Sequence, residues 1–255
     1  MRNILTIARK ELKTYFTSPI AYIVLAIAGI IFGFFFYSAL AFFVQRGMEA
    51  EMYGRGGPMS VNEYVIRPLL LNLSVISLFL VPMITMRLYA EEKRSGTIEL
   101  LLTSPVRDLE LVLGKLLAAF LLFAGILVVA AINLSLLFVF GNADWKPVLS
   151  GLLGLALLGT AFLSLGMLLS TVTRNQIVAG SLTFGLFLML WVADWVSAYS
   201  GTTVGQVASY ISVTTHVENF AKGVIDLRDV VYYLSVIFLG VFLTHRSLES
   251  LRWRS

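Results

Sequence analysis

The feature that most constrains this chain is a series of apolar runs, each about as long as a bilayer is thick. A helix that crosses a hydrocarbon core of about 30 Å needs roughly 20 apolar residues. Five runs meet or approach this length, and a sixth does so only if its helix begins earlier than the run itself, near Asp226. The predicted spans are 20–44, 69–86, 106–140, 148–172, 177–196 and 230–246.

Composition supports a membrane protein. Of 255 residues, 58% are hydrophobic and 13% are charged, whereas a soluble domain carries roughly 25% charged residues. The chain has no cysteine, which excludes disulfides, zinc ribbons and thiol nucleophiles. We therefore predict an all-α, polytopic membrane protein in which residues 1–255 form a single transmembrane domain without a catalytic or metal site of its own.

The distribution of basic residues predicts the orientation. With six spans, both termini and the loops after spans 2 and 4 share one side, which carries 13 of the 19 lysines and arginines. The positive-inside rule makes this the cytoplasmic side of the membrane. The net charge of +4 is thus attributed to topology and to contacts with lipid phosphate, and nucleic acid is not an expected partner.

Residues 1–19 have the pattern of an amphipathic helix. At 100° per residue, apolar and aromatic side chains collect on one side and cations on the other. The aromatic residues are Tyr15 and Phe16, and the cations include Arg9, Lys10 and Lys13. We expect an interfacial helix that faces lipid phosphate with its cations. A simple charged leader is the alternative.

The loop after the second span, residues 88–105, carries the most signals. Gly96 is a plausible helix stop, and Thr97 can cap a short new helix. The helix that follows presents Leu101 and Leu102 among charged residues. This pattern predicts a short cytoplasmic helix that docks into a groove of another protein. The alternative, a solvated loop, does not explain three consecutive leucines in the cytoplasm.

Glycine spacing predicts where helices approach one another. Gly29 and Gly33 are four residues apart in the first span, and the fourth span contains Gly159 and Gly166. Small residues at an interface let two helix backbones come close. We therefore expect close helix contacts at these two pairs of positions.

The loop 88–105 also carries a family resemblance. Its run EEKRSGTIELLL, at 91–102, resembles the coupling segment of ABC-2-type (type V) ABC transporter permeases. The likeness continues at residues 8–12, at 173–179 and at 216–229. Taken together, these stretches resemble the gliding-motility-associated, GldF-like subfamily over nearly the whole chain.

The resemblance implies a permease subunit that pairs with a second permease copy, as a homodimer or pseudo-dimer, and binds cytoplasmic ABC ATPase subunits. It makes residues 1–19 an elbow helix. It also assigns ATPase coupling to the loop residues Glu91, Glu92, Arg94, Gly96, Thr97, Glu99, Leu101 and Leu102. The implied work is ATP-driven export of an amphipathic or lipid-like substrate, or transmission of force to an outer-side or periplasmic accessory protein.

The energy source is expected in the partner. A phosphate-binding loop needs the pattern G-x-x-x-x-G-K-[ST]. The only Gly-Lys pair, Gly114-Lys115, is followed by leucine and has Leu109 in place of the first glycine. We therefore expect no cofactor in this chain, and ATP and Mg bound by the ATPase subunit.

Candidate residues for a transport pathway or an outer gate are few. Three lie in predicted spans and two in the outer segment 197–229, which by resemblance forms short helices that re-enter the outer leaflet. They are Asn72, Asn133, Asp194, His216 and Glu218. Each has a structural alternative: a helix–helix hydrogen bond for an asparagine, an aromatic interface belt around the aspartate, and a structural hydrogen bond for the outer pair.

Two other functions use the same features. An ion-coupled secondary carrier ordinarily has charged residues near the bilayer midplane or broken helices, and no predicted span has a charge at its centre. A non-transporting membrane scaffold or mechanotransmission subunit would recruit soluble proteins through the loop 88–105. A transport assay in liposomes separates that scaffold from a pump.

Overall fold

The computed structural model describes residues 2–53, 60–103, 105–140, 143–199 and 203–252. Within these residues the fold is all-α, and six helices are long and apolar enough to cross a membrane. The predicted class of polytopic helical membrane protein is therefore confirmed. In chain order the helices are α1 Arg2–Thr17, α2 Ile20–Met52, a π-helical turn Asn62–Ile66 that leads into α3 Arg67–Thr85, α4 Ala90–Ser95, α5 Ile98–Leu102, α6 Asp108–Phe140, α7 Trp145–Val172, α8 Gln176–Tyr199, α9 Thr203–Ile211, α10 Val213–Ala221 and α11 Leu227–Arg252.

The bundle has two ends with different contents. Six crossings bring both termini to the same end, which we call the terminal end. This end holds α1 and the short helices α4 and α5, while α9 and α10 lie at the opposite, distal end. By the distribution of basic residues, the terminal end is the one predicted to face the cytoplasm.

Two helices exceed the length that a bilayer requires. α2 and α6 have 33 residues each, which at 1.5 Å per residue makes each about 50 Å long. α2 continues beyond Val44, where the predicted span ends, to Met52. α11 begins at Leu227, next to Asp226, so the shortest apolar run becomes part of a helix long enough to span.

α7 is the central helix of the packing. It lies against α3, α6, α8, α10 and α11, and glycines make these approaches possible. A Cβ atom added to Gly154 would come within 2.6 Å of Phe220 on α10. Close packing of this kind gives a helix interface its van der Waals stabilisation within a membrane, where the hydrophobic effect between helices is absent.

The predicted glycine contacts are confirmed in the fourth span and at one of the two positions in the first, where a Cβ atom on Gly29 would meet Val129 of α6 at 3.8 Å. Gly159 lies directly against Phe123 of α6, and Gly166 directly against Thr85 of α3. A Cβ atom on Gly33 would meet no atom within 4 Å. The prediction of a close approach at Gly33 is therefore wrong within this chain, since no neighbouring helix lies over that position.

α2, α8 and α11 form the periphery. Their outward faces carry large apolar side chains such as Ile30, Met189 and Phe238, which are 73%, 73% and 71% exposed. In a soluble protein such faces would aggregate, whereas in a bilayer they contact acyl chains. These faces are therefore the lipid-facing surface of the bundle.

Candidate functional site

The chain that follows α3 forms two short helices joined by a sharp turn. α4 carries Glu91 and Glu92 in its first turn and Lys93 and Arg94 in its last, an order of charges that suits the helix dipole. It ends at Gly96, whose φ of +73° is left-handed, a conformation that glycine adopts without steric cost. The helix stop predicted at Gly96 is thus confirmed.

Thr97 does not cap α5 as predicted. Its φ of −75° and ψ of −8° are already helical, whereas a capping residue is normally extended. Its hydroxyl lies 2.8 Å from the hydroxyl of Ser95 instead. The prediction of a cap is wrong because Gly96 alone makes the reversal, and the two hydroxyls then close the turn.

A buried ion cluster lies beneath α4. The Lys115 ammonium is 2.7 Å from the Glu92 carboxylate and 3.4 Å from that of Glu11. It also donates to the Leu88 carbonyl at 2.7 Å and lies 4.9 Å from the centre of the Tyr89 ring. The Lys115 side chain is 1% exposed. Its buried charge is therefore compensated by two carboxylates and a carbonyl, as a buried cation requires.

This cluster joins three separate elements. Glu11 belongs to α1, Glu92 to α4 and Lys115 to α6. One ammonium therefore ties α1 and α4 to the membrane-spanning helix α6. Sequence reasoning counted Lys115 only among the basic residues that set orientation. The signal that identifies it is a lysine within a long apolar run, which needs a counter-charge wherever that run is buried.

The end of α7 holds the turn between α3 and α4. The Ser170 hydroxyl accepts hydrogen bonds from the backbone N–H groups of Tyr89 and Ala90, both at 3.1 Å, and donates to the Met86 carbonyl at 3.2 Å. Lys93 donates to the carbonyl of Thr171. The turn is therefore fixed to α7 as well as to α6.

The apolar side of α1 packs against the rest of the protein. Ala8 and Tyr15 are buried, and Ile7 covers Gly114 of α6. The Tyr15 hydroxyl donates to the Ile84 carbonyl at 3.2 Å. The predicted amphipathic helix exists, and a good part of its apolar face is an intramolecular interface.

The remaining predicted residues of the elbow helix lie on its outer surface. Arg9, Lys10 and Lys13 are exposed, and Phe16 is 40% exposed. This leaves the cations and one aromatic ring available to a headgroup layer. Their contact with lipid stays a prediction.

The predicted coupling residues divide into an exposed and an inward set. Glu92 belongs to the ion cluster, and Leu101 packs partly against the hydrophobic core. Of the two leucines whose side chains are described, Leu100 is the exposed one, at 73%, although the sequence pattern singled out Leu101 and Leu102. The Leu102 side chain lies outside the described part of the structure. The exposed set comprises Glu91, Arg94, Gly96, Thr97 and Glu99.

Two of the three candidate pathway residues inside the spans have described side chains, and these two are not hydrogen-bonded to each other. Asn133 donates to the Val129 carbonyl of its own helix at 2.9 Å, and Asn72 is half-buried on α3. The Asp194 side chain lies outside the described part of the structure. Asn72 and Asn133 therefore do not form a shared polar site.

His216 is part of a buried polar cluster at the distal end. Its Nδ1 atom lies 2.6 Å from the Asp229 carboxylate, and its Nε2 atom lies 3.1 Å from the Tyr210 carbonyl. Asn219 donates to the other Asp229 oxygen at 2.9 Å, and the imidazole stacks on Tyr232 with ring centres 4.0 Å apart. The cluster fastens α10 to α9 and α11. With both ring nitrogens engaged, His216 has a structural role.

Glu218 forms the second distal contact. It pairs with Arg67 at the start of α3 and with Lys222 at 3.0 Å. Burial alone would raise the pKa of Glu218, but the hydrogen bonds and charges of Lys222 and Arg67 outweigh burial and hold it below its ordinary value. Among the described residues, no cluster of three or more acidic or histidine side chains is arranged to hold a metal ion.

Comparison with known families decides what kind of protein this is. A model of the family described as ABC-2 family transporter protein matches residues 5–224, from α1 to the end of α10. The chain belongs to this family. An ABC-2 protein is a membrane permease component of an ABC transporter and works with a separate ATPase subunit. A comparison with curated proteins gave no match.

Proposed function

We propose that this ABC-2 permease couples ATP hydrolysis by its ATPase partner to the export of an amphipathic or lipid-like substrate. The observation that carries the proposal is the ion cluster of Glu11, Lys115 and Glu92. It gives a force applied to α4 a direct route into a membrane-spanning helix.

The exposed surface of α4 and α5 is the proposed docking site. Leu100 offers an apolar anchor that is 73% exposed, and Arg94 and Glu99 beside it are exposed charges. An exposed leucine ringed by charges suits a groove with an apolar centre and a polar rim. Docking there would place the ATPase against the helix that carries Glu92.

The ion cluster is the proposed transmission element. Separating Lys115 from Glu92 would leave a buried charge without a partner, which is far more costly than moving the residues together. A displacement of α4 is therefore expected to carry α6 with it, and α1 through Glu11. Ser170 extends the same linkage to α7.

The orientation and assembly belong to the proposal as well. The terminal end faces the cytoplasm of a bacterial inner membrane, and a second permease copy completes the pathway. Few charged residues lie within the spans, which favours amphipathic or lipid-like cargo over a small ion. The GldF-like resemblance supports an accessory protein on the distal side.

Co-purification with the candidate ATPase tests the docking site. Leu100→Asp is expected to abolish association, because it places a charge where an apolar anchor enters the partner. Leu109→Asp is the matched control, since Leu109 is 48% exposed at the same end but outside α4 and α5. Association that survives Leu100→Asp and is lost with Leu109→Asp would refute the assignment of the docking surface.

ATPase and transport assays test the transmission element and the function. Glu11→Gln is expected to preserve association and to reduce ATPase stimulation and movement of a fluorescent lipid in proteoliposomes, with Lys13→Gln as the exposed control. Unchanged ATPase stimulation and lipid movement in Glu11→Gln would show that α1 does not transmit the displacement through Glu11. A complex that hydrolyses ATP and moves neither lipid nor amphipathic probes would instead be a scaffold or mechanotransmission subunit.

A further inference from the structure

The distal half of the bundle contains a groove that the transport proposal does not use. α8 and α11 both pack against α7 and scarcely meet each other among the described residues. The gap between them is a cavity of about 340 Å³. Its floor includes Phe162 and Leu165 of α7, with Leu190 of α8 on one wall and Val236 of α11 on the other.

α9 lines the groove with its last two residues, Tyr210 and Ile211, and the backbone carbonyls of both are hydrogen-bonded. The Tyr232 hydroxyl donates to the Ile211 carbonyl at 2.7 Å, and the Tyr210 carbonyl is bonded to His216 at 3.1 Å. Water needs two to four polar partners to occupy a cavity, and apolar cavities bind apolar ligands instead. The chemistry of this lining therefore selects a hydrocarbon.

The mouth of the groove opens toward the bilayer. Met189 on α8 and Phe238 on α11 are next in sequence to the lining residues Leu190 and Leu239. They are 73% and 71% exposed, and both belong to the lipid-facing surface. Within the described parts of the chain, α8 and α11 do not pack closely against each other, so direct contact between them does not close the opening. The medium that meets the mouth is the acyl-chain region of the membrane.

We propose that this groove binds one acyl chain of a membrane phospholipid from the distal leaflet. The groove extends along α11 from Tyr232 to Leu239, about 10 Å of helix, and so occupies the distal half of the span. Its volume is at the lower end of the roughly 300–1,000 Å³ of small-molecule sites. That suits a single chain whose headgroup stays outside the groove. A bound lipid of this kind requires neither ATP nor transport, so the inference is independent of the proposed function.

An acyl chain in the groove would also affect the buried polar cluster around His216 at the distal end. Tyr232 lines the groove and stacks on His216, so a chain in the groove supports the aromatic ring that covers the histidine. An empty groove would leave that ring without contacts on one side, with loss of dispersion energy. The lipid is therefore expected to stabilise the attachment of α10 to α11.

Photo-crosslinking tests the site with the permease alone. The protein is reconstituted in nanodiscs of phosphatidylcholine that contain a phosphatidylcholine with a diazirine in one acyl chain, and labelled peptides are identified by mass spectrometry. Labelling is expected to concentrate on the walls, at 186–190 and 236–239, above the level on the exposed face of α2. Val236→Trp fills the groove and is expected to abolish this excess. Val231→Trp, at a position on α11 that is 52% exposed, is the matched control and keeps it.

Two results would overturn the proposal. One is labelling spread evenly over α2, α8 and α11 in the wild-type protein, which would mean that the groove holds no particular chain. The other is crosslinking between groove residues and a second copy of the permease, which would make the groove a dimer contact. Leu190→Trp on the opposite wall repeats the filling test. If neither filled variant retains the wild-type melting temperature, the wild-type labelling pattern decides alone.

Discussion

The Lys115 ammonium lies 2.7 Å from the Glu92 carboxylate in the interior of the terminal end, where the lysine side chain is 1% exposed and the glutamate side chain 16%. Neither charge has bulk water to replace its partner. The pair therefore differs from a surface ion pair, which contributes about 0–1 kcal/mol. It ties α4, at the terminal end, to the membrane-spanning helix α6.

Removal of the cation should be strongly destabilising. In Lys115→Met, Glu92 loses its nearest cation and Glu11 keeps only the exposed Lys10, 3.2 Å away. The expected cost is about 3–5 kcal/mol. Thermal denaturation in detergent measures it, with Lys13→Met as the control because Lys13 is exposed on the same helix as Glu11. Adding Glu92→Gln to Lys115→Met should recover part of the loss. Equal melting temperatures for the two single variants would show that the cluster is hydrated.

Loss of the Ser170 hydroxyl should loosen the turn between α3 and α4. Ser170→Ala leaves the N–H groups of Tyr89 and Ala90 without their acceptor, at a cost of about 1–3 kcal/mol per unsatisfied group. Hydrogen exchange should accelerate at these two amides. Ser135→Ala is the control, because Ser135 bonds within its own helix and is exposed. Unchanged exchange at both amides would mean that other acceptors replace the hydroxyl.

A methyl group at Gly154 should disturb the packing between α7 and α10. The added Cβ would come within 2.6 Å of Phe220, and overpacking of this kind costs about 1–3 kcal/mol. Gly33→Ala makes the same substitution where no atom lies within 4 Å. It should be neutral or stabilising by up to about 1 kcal/mol. Melting temperatures that fall equally in both variants would contradict this assignment.

Gly96 should tolerate asparagine better than alanine. Its φ of +73° costs alanine about 1–2 kcal/mol, whereas asparagine enters the left-handed region more readily. Because a Cβ atom there meets no neighbour within 4 Å, any effect comes from the backbone. Co-purification of the ATPase should drop with Gly96→Ala and be largely restored with Gly96→Asn. Equal loss in both variants would indicate that the partner contacts the glycine itself.

The Glu218 contacts should be lost in acid. The pKa of Glu218 is held below its ordinary value of 4.5, so the carboxylate stabilises the fold above that pH, and the contribution disappears as the pH falls through the lowered pKa. The wild type should therefore melt at a higher temperature than Glu218→Gln at pH 7, and the difference should shrink in acid and vanish once the pH lies below the lowered pKa of Glu218. Glu51→Gln, at an exposed position, should show little difference at either pH.

Most of the fold could be predicted from the sequence because span length and charge distribution are local properties. Six apolar runs predict six helices regardless of how they pack, and a left-handed glycine predicts a helix end regardless of its neighbours. The residues at which the helices end were harder to predict. α2 continues to Met52 because polar residues are compatible with a helix that leaves the bilayer, so hydropathy does not mark its end.

The site was only partly predictable because its main residue acts across 104 and 23 positions of sequence, from Lys115 to Glu11 and to Glu92. A helical wheel shows which side of one helix is apolar, and it does not show whether that side meets lipid or protein. Tyr15 was therefore expected at a headgroup layer, whereas it is buried and its hydroxyl donates to the Ile84 carbonyl. Leu100 was overlooked for the same reason.

The glycines of α7 restrict how this bundle can rearrange. Gly154, Gly159 and Gly166 lock the helix against α10, α6 and α3 at three heights, so α7 can neither rotate about its axis nor slide along it without a clash. The contacts therefore favour movement of α3, α6, α7 and α10 together over movement of any one of them alone. If the permease alternates between two openings, these four helices are expected to move as a single body relative to the peripheral helices.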